Sequence, residues 1–197
     1  MHMHTRNSKI QHILNVAEAA FLEYGYNKTS IRFITNKARV NSAMINYYFK
    51  HKENLYNEVI ERRVTTLQNF KFKYDENGAL IEQYLELIIH YFELIQKHQF
   101  FFKLMLQELL LNKKPIVVNH INALFNSYEN QIEGIIELGI DRGLFMRVNK
   151  EMVAKNILGF LVQIVLIEPT SLFKKHTEEE LRKYFKKAFL NFFLIPN

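Results

Sequence analysis

The sequence predicts an all-α protein of about nine helices, in which a three-helix N-terminal head is joined to a larger helical body. Three observations point there. Apolar residues recur at i, i+3 and i+4 along nearly the whole chain. No segment alternates with the period of two that a half-buried strand needs. Glycine, proline or short polar runs interrupt the helical pattern at intervals typical of helix lengths. With 48% hydrophobic and 23% charged residues, there is enough apolar surface for a large core.

Taken in order, Ile10, Ile13, Leu14, Ala17, Phe21 and Tyr24 define a first amphipathic helix over 8–24, and Gly25 stands where a helix end wants positive φ. Thr29 and Ser30 are candidate N-caps for a short second helix carrying Ile31, Ile34 and Ala38. Arg39-Val40-Asn41 has room only for a turn, and Asn41 caps a third helix running to about Phe49. A fourth starts near Lys52, with Leu55, Val59, Ile60, Val64, Leu67 and Phe70 at helical spacing. Asp75-Glu76-Asn77-Gly78 reads as a loop. Helices near 79–97, 100–112 and 116–141 follow, separated by Lys97-His98 and by Lys113-Lys114-Pro115, and Arg142-Gly143 ends the last. Asn149 caps a helix to about Ile167, stopped by Glu168-Pro169. Thr177-Glu178-Glu179-Glu180 is a capping box for a final helix, about 178–194, whose stripe is Leu181, Phe185, Ala188, Phe189 and Phe192.

Composition excludes several classes. The absence of cysteine removes disulfides, thiolate zinc sites and cysteine nucleophiles, and agrees with a cytoplasmic location. No long uncharged apolar run predicts a membrane span, and the polar start MHMHTRNSK is not a secretory signal. An enzyme is not expected, nor a cofactor or metal. Glu82, Glu86 and His90 share a helix face, but carboxylate-bridged metal bundles need Glu-x-x-His at i, i+3. His2 and His4 sit on a terminus with no fixed geometry, and no nucleophile motif or glycine-rich phosphate loop occurs. The net charge of +6 is uneven: residues 1–60 hold eight Lys/Arg against four acids, and the other 137 hold 18 against 16. A basic head on a nearly neutral body is the electrostatic footprint of a nucleic-acid module.

Two short helices joined by a three-residue turn form a helix-turn-helix over 29–49, whose second helix would enter the major groove. On the wheel of 42–49, Met44, Ile45, Tyr48 and Phe49 fall on one side, and Ser42, Ala43, Asn46 and Tyr47 on the other. Of the first set, Ile45 and Phe49 can pack on Ile31, Ile34 and Val40. The second is small, polar and aromatic, suited to base edges, thymine methyls and phosphates.

These residues resemble a known family. Phe21-Leu22-Glu23-Tyr24-Gly25-Tyr26, followed by Thr29-Ser30-Ile31-Arg32-Phe33-Ile34, is similar to the opening of TetR-type transcriptional regulators. Asn41-Ser42-Ala43-Met44-Ile45-Asn46-Tyr47-Tyr48-Phe49-Lys50-His51-Lys52-Glu53-Asn54-Leu55 resembles their recognition helix and its ending. The match covers about residues 10–56; the stretch from Gly139 to Phe145 is a looser likeness. One departure is Arg39, where the family turn commonly carries glycine; a left-handed conformation there would cost about 1 kcal/mol.

The resemblance implies phosphate anchoring by Thr29 or Ser30, Arg32, Tyr48 and Lys52. It implies groove contacts from Ser42, Ala43, Asn46 and Tyr47. It also implies a DNA-binding domain over 1–51 and a ligand-binding and dimerisation domain over 52–197, with 52–73 as connector. The expected partners are double-stranded DNA carrying a palindromic operator, a small hydrophobic inducer and a second copy of the chain. Dimer contacts are expected from Leu158, Leu161, Val162, Val165, Phe185, Phe189 and Phe192. Inducer contacts are expected from Tyr84, Ile88, Tyr91, Phe101, Met105, Phe125 and Tyr128, with Glu108 as a polar anchor, although ordinary packing explains any one of them as well. A repressor released by its ligand is the main reading. The alternative is a helical interaction protein whose basic head docks on acidic protein or membrane without operator specificity.

Overall fold

The computed structural model describes residues 2–69, 72, 73, 75, 78–167 and 177–190. Among them are nine α-helices and no strand: α1 (His2–Lys28), α2 (Ile31–Ala38), α3 (Ser42–Phe49), α4 (Lys52–Gln68), α5 (Leu80–Lys97), α6 (Gln99–Leu111), α7 (Pro115–Asp141), α8 (Lys150–Ile167) and α9 (Glu178–Phe185). A π-helical turn, Lys186–Leu190, extends α9. The chain divides into two compact units, one of residues 1–69 and 104–122, the other of residues 70–103 and 123–197.

In the first unit α1 packs on α2 and α4, and α3 rests on α2 and α4. Ile13, Leu14, Ala17 and Phe21 of α1, Ile34 and Ala38 of α2, Ile45 and Phe49 of α3, and Leu55, Val59 and Ile60 of α4 are all buried. Most wheel positions expected to be apolar are therefore the core; Tyr24, placed on the same stripe, is instead 40% exposed. A polar clamp edges the α1–α4 contact: Arg62 donates to Gln11 (3.1 Å), Asn15 (2.8 Å) and Glu18 (2.6 Å), which recur on one face of α1. The helix expected over 8–24 begins at His2, since residues 2–8 contain neither glycine nor proline. At Gly25 it breaks (φ 77°, ψ 167°) before one more turn to Lys28.

Helix ends follow their capping residues. Ser30 accepts from Phe33 N–H, and Asn41 from Ala43 N–H. Thr177 and Glu180 form the reciprocal capping box expected of them. Gly143, at φ 68°, closes α7, with Gly143 N–H on Ile140 C=O and Leu144 N–H on Gly139 C=O. The same pair of bonds closes α2, Arg39 N–H to Asn36 C=O and Val40 N–H to Thr35 C=O, but there the left-handed residue is Arg39 (φ 54°, ψ 43°).

In the second unit α5 packs on α8 and α9. Phe185 meets Phe92 edge-on at 5.6 Å and stacks on Phe189 at 5.9 Å. Of the terminal helix expected over 178–194, α9 and the π-turn are the described part, and residues 191–194 lie outside the described residues. Phe70, Glu168-Pro169 and Phe192 lie outside the described residues, as does the Glu76-Asn77 part of the expected loop. No helix among the described residues is long and apolar enough to cross a membrane.

Gly139 faces the buried ring of Phe145 so closely that an added Cβ would overlap it. Gly139→Ala should therefore lower unfolding free energy by about 1–3 kcal/mol, through overpacking, in urea titrations followed by circular dichroism.

Candidate nucleic-acid interface

The helix-turn-helix presents α3 with one face inward and one outward. Ile45 and Phe49 are buried, and Met44 and Tyr48 are half-buried. Ser42, Ala43 and Asn46 are exposed, and Tyr47 is 70% exposed, its ring 5.0 Å from that of Tyr48 in an edge-on contact. A side chain the size of tyrosine held outward beside small and polar neighbours suits a groove better than a core. Arg32, Lys37, Arg39 and Lys50 are exposed around it, so the surface flanking α3 is electropositive. Lys37 also lies over the Phe33 ring at 5.1 Å.

The turn regions hold α3 in place. Arg39 occupies the left-handed conformation expected of the glycine commonly found there. His12 Nε2 lies 3.0 Å from Ala38 C=O, tying α1 to the end of α2. After α3, Lys50 has φ 65° and ψ −56°, and His51 N–H donates to Phe49 C=O at 2.7 Å. That is a γ-turn of the rarer, positive-φ form, which stores strain. It turns the chain within two residues into α4.

Two of the expected phosphate anchors are placed otherwise. Thr29 is 1% exposed, and its one hydroxyl proton is shared between the carbonyls of Gly25 (2.8 Å) and Ala20 (3.2 Å). It is a brace for the α1–α2 corner, because the kink at Gly25 leaves carbonyls that need a donor; its neighbour Ser30 remains exposed as the N-cap. Lys52 turns back on the protein, donating to the carbonyls of Tyr26 (2.9 Å) and Thr29 (3.0 Å) above the Tyr26 ring at 4.1 Å. Burial first, and the charge of Lys114 second, hold its ammonium below the usual lysine range.

Residues expected at an inducer pocket are mostly buried. Tyr84, Ile88, Tyr91, Phe101 and Tyr128 of the second unit are closed off from solvent, and Phe125 is half-buried. Tyr91 and Tyr128 rings lie 4.6 Å apart, and burial pushes both phenols well above their ordinary range. Met105 and Glu108 belong to the first unit and are buried there. The Glu108 carboxylate, expected to meet a ligand, is taken up by Tyr56 and Lys114.

The residues expected at a dimer contact differ in burial within the single chain. Leu158, Leu161, Val162 and Phe185 are buried within the single chain, because these sides of α8 and α9 cover α5. Phe189 is partly exposed, while the side chain of Val165 lies outside the described residues. The exposed stripe of α8 is Met152, Asn156, Gly159 and Gln163. Sequence reasoning did not separate this largely polar stripe from the buried side of α8. It also missed His12 and Arg62, polar residues whose partners lie far along the chain, and Lys114, whose ion-pair partner Glu108 is six residues away.

A small helical head with an outward recognition helix, on an otherwise all-helical chain, defines a helix-turn-helix DNA-binding protein. Residues 13–59 match the sequence profile of the bacterial regulatory proteins of the tetR family. HlyIIR, a hemolysin II transcriptional regulator, is similar over 94% of this chain and 99% of its own, at 26% identity and a TM-score of 0.69. A Saccharomonospora viridis protein crystallised in complex with choline shares the fold at 16% identity, with a TM-score of 0.75 over 96% of this chain and 100% of that one. GusR of Salmonella enterica does so at 18% identity and 0.69, over 92% and 95%. No curated protein matches the chain in sequence. Residues 13–59 thus match the DNA-binding head of tetR-family regulators, and the chain as a whole is similar in fold to a transcriptional regulator.

Two substitutions check the corner assignments. Arg39→Gly should raise stability by about 0.5 kcal/mol, the left-handed strain removed being partly offset by glycine's greater unfolded entropy. Thr29→Val should lower it by about 1–2 kcal/mol while the salt dependence of DNA binding stays unchanged; a shallower salt slope would restore Thr29 as a phosphate contact.

Proposed function

We propose that this regulator is a cytoplasmic homodimeric repressor that reads a palindromic operator with α3 and releases it on binding a small hydrophobic molecule. The observation that carries the reading is the outward face of α3, Ser42, Ala43, Asn46 and Tyr47, on a helix whose opposite face is locked into the head core. Asn46 pairs with an adenine edge, Ala43 meets a thymine methyl, and Ser42 and Tyr47 reach base edges or phosphates. Arg32, Tyr48 and Ser30 position the head on the backbone, and Lys52 supports it from behind.

Two heads are needed to span half-sites about 34–36 Å apart, which favours a twofold dimer. Its contact is assigned to the exposed stripe of α8, where Gly159 has open space at its Cβ position and lets a second helix approach closely, with half-exposed Tyr184 and Phe189 beside it on the α9 segment. The buried aromatics Tyr84, Tyr91, Phe101 and Tyr128 are the proposed inducer lining of the second unit. The choline complex of the Saccharomonospora viridis protein supports a small-molecule ligand in this fold. Ligand weakens operator binding by its differential affinity for the two head arrangements.

A mobility-shift titration on the DNA flanking the protein's own gene tests the reading. Wild-type protein should outcompete bulk DNA at physiological salt, and Asn46→Ala or Tyr47→Ala should each lose about 1–3 kcal/mol of specific binding. Binding of bulk DNA alone would remove the operator reading. Sedimentation should give a dimer mass, and Gly159→Arg should give a folded monomer, since arginine is the better helix former and only a partner helix is obstructed.

A further inference from the structure

Within the first unit, against Tyr26 of α1 and Tyr56 of α4, lies a charged cluster that base reading does not use. Glu108, near the C-terminal end of α6, is 3% exposed. A buried carboxylate is strongly unfavourable unless paired. It accepts from Tyr56 Oη at 2.8 Å and from Lys114 Nζ at 2.8 and 3.0 Å. The Lys114 ammonium also sits 4.3 Å from the Tyr26 ring centroid and 5.3 Å from that of Tyr56. Tyr26 thus carries two ammonium groups, Lys114 and, at 4.1 Å, Lys52.

We propose that Glu108 and Lys114 are positioning residues for operator binding, acting through Tyr26 and Lys52 on the two flanks of the helix-turn-helix. The inference deepens, and rests on, the operator-binding reading above. Lys52 is the first residue of α4, directly after the strained turn that ends α3. Its ammonium binds the carbonyls of Tyr26 and Thr29, the last residues before Ser30 caps α2. One side chain therefore joins the entry of α2 to the exit of α3. What keeps it there is the Tyr26 ring, and that ring is backed by Lys114, which Glu108 holds.

Stability alone does not account for these charges. A buried ion pair commonly does no better than hydrophobic residues of the same volume, whereas a fully satisfied polar network selects one geometry among several. The two ammonium groups also sense each other, since Lys114 contributes to the depressed proton affinity of Lys52. A cleft of about 160 Å³, lined by Tyr24, Lys28, Gln107 and Leu111, opens onto the pair and gives Lys114 somewhere to swing when the pair breaks.

The test uses the full-length protein and the double variant Glu108→Gln/Lys114→Met, which leaves no unpaired buried charge and keeps an acceptor for Tyr56 Oη. The expected result is a melting temperature near wild type with operator affinity about tenfold weaker, a coupling of ordinary size, and retention of most affinity in Lys114→Arg. In protein carrying 13Cε-labelled lysine, the Lys52 resonance should titrate at higher pH in the double variant than in wild type. A folded double variant with wild-type operator affinity, or an unchanged Lys52 titration, overturns the proposal. If the double variant does not fold, Lys114→Gln, whose amide still donates to Glu108, decides by the same two readouts. Should wild-type protein show no specific operator binding, the operator reading fails by itself, and the Lys52 titration alone decides whether the coupling exists.

Discussion

Phe21, Tyr26 and Tyr56 bring three rings into mutual contact, with Phe21 edge-on to Tyr56 at 4.9 Å and Tyr26 tilted against Tyr56 at 4.8 Å. The rest of the head is arranged around them. Phe21 belongs to the long first helix, Tyr26 to the turn beyond its kink, and Tyr56 to the helix that follows the recognition helix. Aromatic contacts of this kind add directional preference to area burial, so they fix the angle between α1 and α4 as well as their distance. The polar atoms at the rim of the cluster then have fixed places to go: Tyr56 Oη to Glu108, and the ammonium groups of Lys52 and Lys114 over Tyr26.

The head also concentrates its backbone strain where the reading helix is attached. Two positive-φ residues without glycine's freedom, Arg39 and Lys50, bracket α3. Each costs free energy, and each is held by hydrogen bonds on either side. Such positions persist only where the surroundings over-determine them. Here the surroundings are the buried Ile45 and Phe49 on one side and the Lys52 contacts on the other. The consequence is a short helix of eight residues with a defined direction, which a helix so short would not keep by propensity alone.

Much of the candidate site was legible from spacing. The burial of Ile45 and Phe49 and the exposure of Ser42, Ala43, Asn46 and Tyr47 follow from a 3.6-residue period once the helix is placed, and Asn41 places it. The residues that escaped were those with two chemical options. Thr29 and Lys52 were expected on DNA because a hydroxyl and an ammonium at helix starts suit phosphate. The carbonyls of Ala20, Gly25, Tyr26 and Thr29, which claim them, are backbone groups with no signature in side-chain pattern. Leu158, Leu161, Val162 and Phe185 were expected between subunits because α8 and α9 carry more apolar surface than one face needs. Periodicity marks which side of a helix is apolar, but not whether α5 of the same chain or another chain covers that side.

By itself the sequence determined what depends on neighbours along the chain: helix period, caps at Ser30, Asn41 and Thr177, the positive φ at Gly25, the helix stop at Gly143, and the turn between α2 and α3. These are local because backbone hydrogen bonds in helices and turns close within five residues. Tertiary structure alone decided what depends on residues far apart: the Arg62 clamp across 44 to 51 positions, the pairing of Tyr56 with Glu108 across 52, and the folding back of Lys52 across 23 and 26. A polar side chain takes the partner that the packing of the core brings within about 3 Å, and that packing is a property of the whole unit.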